Sequence, residues 1–275
     1  MPRTALAVIV TLTTDFGLRD PFVGIVKGVI LGICPRVRFV DLTHDVAPHD
    51  VLEAALALES SIRFFPQSTV HLAVVDPGVG TARRALALRA RGQYFVGPDN
   101  GIFTSVLQAD EWAAVSLEAA AYRLPVVSRT FHGRDIFAPA AAHLAAGVAL
   151  ARLGPPVADP VRLPWPGCRK IGGQLVGEVI GHDRFGNLLT SIGAEDVRGL
   201  RSLNPVWVVL GDRTIGPIVS CYAEGAEAAA SAVIGSTGRL EIFVRNGSAR
   251  ALLRADRGAS VRVAPPPGLG DADDR

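Results

Sequence analysis

A proline-rich stretch, Gly154 to Gly167 (GPPVADPVRLPWPG), separates two halves of the chain whose apolar patterns differ in kind. Proline has no amide hydrogen and a fixed φ, so neither a helix nor a central strand continues through such a run, and it reads as a linker. Before it, strand-like and helix-like runs alternate. Ala5 to Leu12, Val37 to Asp41, Thr69 to Val75, Arg84 to Leu88 and Gln93 to Gly97 read as strands, and Phe22 to Ile33, Val51 to Ile62, Gly101 to Gln108 and Ala138 to Ala146 as helices. That order predicts an α/β domain with a mostly parallel, helix-covered sheet. After it, Gly173 to Ile180, Leu188 to Ile192, Val206 to Leu210, Ala232 to Ile234, Leu240 to Val244 and Val261 to Val263 are short β-like runs between turn signals, which predict a small all-β barrel or sandwich. The expected divisions are an N-terminal domain over 1–160, a linker over 161–171, a β domain over 172–265 and a disordered tail over 266–275.

A chain of 275 residues exceeds one ordinary hydrophobic core, in keeping with two domains. The net charge of +2 is small, and no basic cluster is interleaved with aromatics, so nucleic acid is not an expected partner. Cys34, Cys168 and Cys221 are widely spaced, without a Cys-x-x-Cys pair, and read as reduced thiols of a cytoplasmic protein. The apolar run Ala5 to Leu12 is too short to span a bilayer, and no membrane association or targeting segment is expected. A hydrophobic content of 49% points instead to apolar surface used between subunits.

Two segments carry chemistry. Val75-Asp76-Pro77-Gly78-Val79-Gly80-Thr81-Ala82-Arg83 sets an acid and a cation seven positions apart on a glycine-rich turn, at the carboxyl end of an expected parallel strand, where open α/β sheets place ligands. Thr130-Phe131-His132-Gly133-Arg134-Asp135 supplies a histidine just before a helical run. Each residue also has an ordinary reading: Asp before Pro-Gly is a turn former, His before a helix a cap, and Arg83 beside Arg84 surface charge. The cluster His44, Asp45 and His49 lacks metal-ligand spacing, no metal is expected, and His44-Asp45 reads as a turn.

With these segments come Thr13-Thr14-Asp15-Phe16-Gly17, Gly97-Pro98-Asp99-Asn100-Gly101, Asp183-Arg184-Phe185-Gly186-Asn187 and Gly235-Ser236-Thr237-Gly238-Arg239-Leu240-Glu241-Ile242. In this order, from about Val8 to Val263, the chain resembles the S-adenosylmethionine hydrolases, also called S-adenosylmethionine hydroxide adenosyltransferases, which are related to fluorinating and chlorinating enzymes. The resemblance implies that Asp76, Arg83 and His132 surround an attacking water and that Asp15 binds the ribose hydroxyls, with His49 near the sugar. It further implies that Asp183 and Ser236 hold the methionine amine and carboxylate, and that Phe185, Asn187 and Tyr222 form the adenine pocket. Asp76 stands where halogenating relatives carry an aromatic residue. Arg84 runs directly into the strand Ala85 to Leu88 without the extra loop of the fluorinases, so the water-using branch is implied. Thr237 replaces an arginine of the fluorinases beside the carboxylate, and Asp183 lies one residue closer to Phe-Gly-Asn than in the halogenases. The resemblance also implies S-adenosylmethionine as substrate with no separate cofactor, and a homotrimer with sites at subunit interfaces.

The residue types suit that chemistry. Departure of a cationic sulfonium leaves a neutral thioether that needs no proton, so the tasks are to place an oxygen nucleophile in line behind the 5′ carbon and to activate it. Arginine stays cationic, can favour the hydroxide form of a nearby water, and its planar fork can hold a carboxylate and that water together; imidazole can accept the water's proton, and Asp76 would orient both. The residues alone leave open which member takes the proton. Two other readings remain: a halide-using adenosyl transferase, and a non-catalytic nucleoside-binding protein.

Overall fold

The computed structural model describes residues 7–200 and 206–265; the expected disordered tail, 266–275, and the first two residues of the run Ala5 to Leu12 lie outside the described residues. The chain divides into two compact units, one through Trp165 and the other from Pro166.

The first unit is built on a six-stranded sheet of order β2-β1-β3-β5-β4-β6, with strands β1 (Ile9–Thr14), β2 (Arg38–Thr43), β3 (Val70–Val74), β4 (Ala85–Ala90), β5 (Gln93–Pro98) and β6 (Trp112–Ser116). Strands β2, β1, β3 and β5 are mutually parallel, while β4 and β6 run antiparallel to their neighbours, so the sheet is mixed with a parallel majority. Every residue of β3 is buried, because the sheet is covered on both faces. Helix α1 (Phe22–Ile33) and helix α3 (Ala138–Ala145) pack with Val10, Leu12, Leu72 and Val74 on one face. Helix α2 (Val51–Ser61) packs with Ala73, Val75, Leu86 and Phe95 on the other. α2 starts where Asp50 accepts a hydrogen bond from Glu53 N at 2.9 Å, a side-chain cap that satisfies one of the orphan amides of the first turn.

The expected helix from Gly101 to Gln108 is a run of turns closed by a 3₁₀ turn at Val106–Gln108. Side chains explain the difference. Asn100 accepts from Ile102 N (3.2 Å) and donates to Val75 O (2.8 Å), and the Thr104 hydroxyl donates to Gly101 O (2.6 Å), so the backbone bonds a helix would use are diverted. The proline-rich stretch is anchored at its middle: Val161 N donates to Asp99 Oδ1 and Leu163 N to Thr104 Oγ1, each at 2.8 Å.

The second unit is a closed barrel of seven strands. β8 (Gln174–His182), β9 (Leu188–Gly193), β13 (Arg239–Val244), β12 (Ala230–Ile234), β11 (Arg213–Val219), β10 (Trp207–Leu210) and β14 (Ser260–Ala264) follow one another around it, and β14 pairs back onto β8. β7 (Arg169–Ile171) adds to the start of β8. Closure removes the exposed sheet edges. Leu188, Ile192, Val208, Leu240, Ile242, Val261 and Val263 fill the interior. Two short helices, α4 (Ala194–Arg198) and α5 (Ala249–Leu253), decorate the barrel.

Candidate active site

From β1 the chain crosses through α1 to β2 on one side, whereas β3 and β5 lie on the other, so the topology reverses between β1 and β3. In open α/β sheets ligands bind outside the carboxyl ends of the strands at such a switch point. The register pairs Thr14 with Val74, which places Asp15 and Asp76 just past the ends of these two adjacent strands.

The turn after β3 folds back so that Arg83 meets Asp76. Val79 N donates to Asp76 O (3.2 Å) and Thr81 N to Gly78 O (3.1 Å). Gly80 has φ +78°, and a Cβ there would stand 2.5 Å from the Arg129 carbonyl oxygen, so only glycine seats this turn against the segment leading to His132. Arg83 Nε donates to Asp76 Oδ1 at 2.9 Å, and Nη2 donates both to Asp76 Oδ2 and to His132 Nδ1, the latter at 2.8 Å. The two charged side chains are only 10% and 7% exposed. The guanidinium carbon also lies 5.2 Å from the Phe137 ring centroid. His132 is set by a π-helical turn, Gly133–Phe137, that continues into α3. Asp135 secures that turn by accepting from Ser128 N at 2.8 Å.

This geometry defines the histidine's proton. A guanidinium has donors only, so Nδ1 of His132 must be the acceptor and the neutral ring carries its hydrogen on Nε2. Burial and then the neighbouring Arg83 charge hold the His132 pKa below its ordinary value of 6.5, against the opposing pull of Asp76. Among the described contacts Arg83 directs four of its five N–H groups at Asp76, His132 and Arg84 O. One guanidinium N–H and the imidazole Nε2–H are left as donors, and Asp76 is the one anionic member of the set. Arg84 is separated from it: its side chain pairs with Asp99 and Asp159, each at 2.7 Å.

Asp15 Oδ2 accepts the backbone N–H of His49 at 3.0 Å, with His49 held at φ 69°. The backbone rather than the ring of His49 thus touches Asp15. His44, which reads in sequence as part of a turn, is a buried support of the Asp15 loop. Its Nδ1 pairs with Thr14 Oγ1 at 2.8 Å, its carbonyl accepts from Gly17 N at 2.8 Å, and its Nε2 lies 3.2 Å from Asp41. A histidine closing a parallel strand next to the Asp15 strand was the available signal, and it emerges only once β1 and β2 are paired.

In the barrel, Asp183 organises its own turn: Oδ1 accepts from Phe185 N and Asn187 N at 2.9 Å each, and Oδ2 from the Asn187 amide at 2.8 Å. Asn187 is buried, whereas Phe185 and Tyr222 are 76% and 46% exposed, which removes ordinary core packing as the reason for either ring. Ser236 lies exposed in the turn between β12 and β13. Among the described residues no three His, Cys, Asp or Glu side chains are grouped so as to hold a metal ion, and no helix is long and apolar enough to cross a membrane.

A mixed, mostly parallel sheet unit with an acid, an arginine and a histidine gathered at its switch point, joined in sequence to a seven-stranded barrel, defines the two-domain class of this protein. The chain belongs to the SAM hydroxide adenosyltransferase family, whose N-terminal and C-terminal domain models match residues 10–154 and 177–262. It is 42% identical over 260 residues to the (R)-S-adenosyl-L-methionine hydrolase of Thermus thermophilus, covering 91% of this chain and 97% of the relative. A fluorinase from an Actinoplanes species is similar at 33% identity over 217 residues, 69% of this chain and 73% of that one. Among solved structures, an uncharacterized conserved protein from Thermotoga maritima superposes with a TM-score of 0.87 at 34% identity, over 94% of this chain and 100% of that chain.

Proposed function

We propose that this protein hydrolyses S-adenosyl-L-methionine, in the (R) form that the relative's name specifies, to adenosine and L-methionine. The carrying observation is the hydrogen-bonded set Asp76, Arg83 and His132 at the switch point of the sheet. The remaining Arg83 N–H and the His132 Nε2–H donate to a water and aim its lone pair at the ribose 5′ carbon. As the C–O bond forms and the C–S bond breaks, methionine leaves as a neutral thioether, and the proton of the attacking water passes to Asp76. Asp15 accepts from the ribose hydroxyls, Phe185, Asn187 and Tyr222 receive the adenine, and Asp183 and Ser236 receive the methionine end. No metal or cofactor is required, because a sulfonium leaving group needs no Lewis acid.

The alternative, halide in place of water, is disfavoured by the Asp76 carboxylate: like-charge repulsion at roughly 4 Å and an effective dielectric near 20 is about 4 kcal/mol, an upper bound that Arg83 lowers. The protein acts in the cytoplasm as a homotrimer that completes its sites at subunit interfaces, with neither nucleic acid nor membrane as partner. Self-association is supported by α1, which exposes Phe22, Ile25 and Leu31 beside Gly24, Gly28 and Gly32, glycines whose added Cβ would meet nothing within 4 Å. The test is chromatography of products in oxygen-18 water, with and without concentrated chloride. Labelled adenosine is expected under both conditions; unlabelled adenosine, or 5′-chloro-5′-deoxyadenosine as the main product, overturns the assignment.

A further inference from the structure

Glu241 is an acid in the middle of barrel strand β13, and it is only 4% exposed. It faces Val233 of β12 and Leu189 of β9, so its strand partners offer no cation. A carboxylate so placed is costly to bury unless something holds it. One of its oxygens, Oε2, accepts the hydroxyl of Tyr222 at 2.6 Å. Burial, and then the nearby charge of Asp183, push its pKa above the ordinary carboxylate value, while the Tyr222 hydrogen bond opposes them. The backbone lies close above it: a Cβ on Gly235 would stand 1.8 Å from Glu241 Oε1, so glycine at 235 lets the turn carrying Ser236 close over the carboxyl group where it now lies.

Tyr222 is fixed at two points. Its hydroxyl is tied to Glu241, and its ring meets Phe243 edge-on at 4.9 Å and 87°. Phe243 is itself pressed under Gly225, where a Cβ would come within 2.5 Å of the ring. The 3₁₀ turn Tyr222–Glu224 that presents the ring is closed by Glu224, which accepts from Ser220 N (3.0 Å) and Ser220 Oγ (2.6 Å). The result is an aromatic face that is nearly half exposed and has little freedom left to lose. Ordering an otherwise mobile side chain on binding weakens affinity, and a ring already immobilised avoids that cost.

We propose that Glu241 is a positioning residue of the nucleoside site: its buried carboxylate clamps the Tyr222 hydroxyl and holds the ring as a preformed stacking face for a purine base. The proposal rests on the reading that Tyr222 receives adenine. Glu241 does not touch the substrate; it acts through Tyr222, and it couples that ring to the Ser236 turn above and to the Asp183 turn nearby.

The experiment measures adenosine binding by calorimetry and steady-state kcat and KM on the full-length protein for wild type, Tyr222→Phe, Glu241→Leu and Glu241→Gln. Glutamine keeps an acceptor for the tyrosine hydroxyl and leucine does not. The expected result is a rise in adenosine Kd and in KM of five- to twentyfold for Tyr222→Phe and for Glu241→Leu, with kcat within threefold, and recovery of most of that loss in Glu241→Gln. The double variant Tyr222→Phe/Glu241→Leu should be no worse than the poorer single one, since both remove the same contact. Tyr222→Phe keeps the ring, the melting temperature of each variant checks its fold, and wild-type Kd and KM in folded Tyr222→Phe overturn the clamp. A drop in kcat with unchanged KM also overturns it. If wild type neither binds adenosine nor turns over substrate, the nucleoside reading itself fails, whatever the variants do.

Discussion

Arg83→Lys keeps the positive charge and removes the fork, and so separates two ways in which this residue could act. In the structure Arg83 gives Nε to one oxygen of Asp76 and Nη2 to both the other oxygen and His132 Nδ1, the last at 2.8 Å. A lysine ammonium is a single point on a flexible stem and can keep one of these contacts in place. Hydrogen bonds to charged groups contribute about 1.5 to 3 kcal/mol each. Loss of two, partly offset by the retained charge and by water entering the gap, is estimated at about 2 to 4 kcal/mol, which corresponds to roughly 30- to 1,000-fold in rate if it is felt in the transition state. Freed from Arg83, His132 can also turn or change tautomer, so the donor Nε2–H is no longer aimed. The assay is initial-rate adenosine formation, with KM determined separately and the melting temperature as a control for folding. The expected result is a loss in kcat of that size with KM changed by only a few fold. An Arg83→Lys variant within threefold of wild-type kcat would show that charge alone suffices and would refute the fork.

Asp15→Asn should weaken adenosine binding by about 1.5 to 3 kcal/mol, since a charged acceptor for the ribose hydroxyls becomes neutral; an unchanged calorimetric Kd returns Asp15 to the role of anchoring His49 N. The acid limb of the rate should have its midpoint below pH 6.5, because the His132 pKa is held under its ordinary value and imidazolium cannot accept from Arg83; a pH–rate profile with its midpoint above 6.5 contradicts this. His71, fully buried with Nδ1 on Thr11 Oγ1 at 2.8 Å, has its pKa pushed down to about 4 by burial. Above the unfolded value of 6.5 it is neutral in both states, and as pH falls toward 4 only the unfolded chain takes the proton, so stability should drop by up to about 3 kcal/mol over that window. Denaturant melts of wild type and His71→Gln at pH 7.5 and 4.5 test it: the variant should lose less between the two values, and parallel losses would remove His71 as the cause.

Much of this protein is written in local patterns. Runs such as Val70 to Val74 and Leu240 to Val244 are β-branched and apolar enough to be strands in almost any context, and α1 ends just before Pro35 because the residue ahead of a proline is disfavoured in the helical region. Asp76 was legible as a strand-end acid, since strand, acid and turn are contiguous in the chain, whereas Asp15 was picked out by the family resemblance. Strands without such a pattern were missed: β6 is alanine-rich and acquires its β state by pairing with β4, and β11 contains Gly216 and Pro217, residues that break isolated strands yet are tolerated where the ladder is irregular. Sheet direction also escaped, because nothing in Ala85 to Ala90 records whether its neighbour runs parallel or antiparallel.

What only the tertiary structure decided is which groups meet and in which protonation state. Arg83 and Arg84 are equivalent as adjacent letters, and the backward fold of the turn sends one to Asp76 and His132 and the other to Asp99 and Asp159. The proton on His132 follows from its partner being a donor across 49 positions of chain, and the role of Glu241 from a tyrosine 19 positions away. Hydrogen bonds and burial depend on distance in space, whereas the periodicities of a sequence report only which face of its own element a residue occupies. The local elements were therefore readable from the chain, and the chemistry came from the contacts between them.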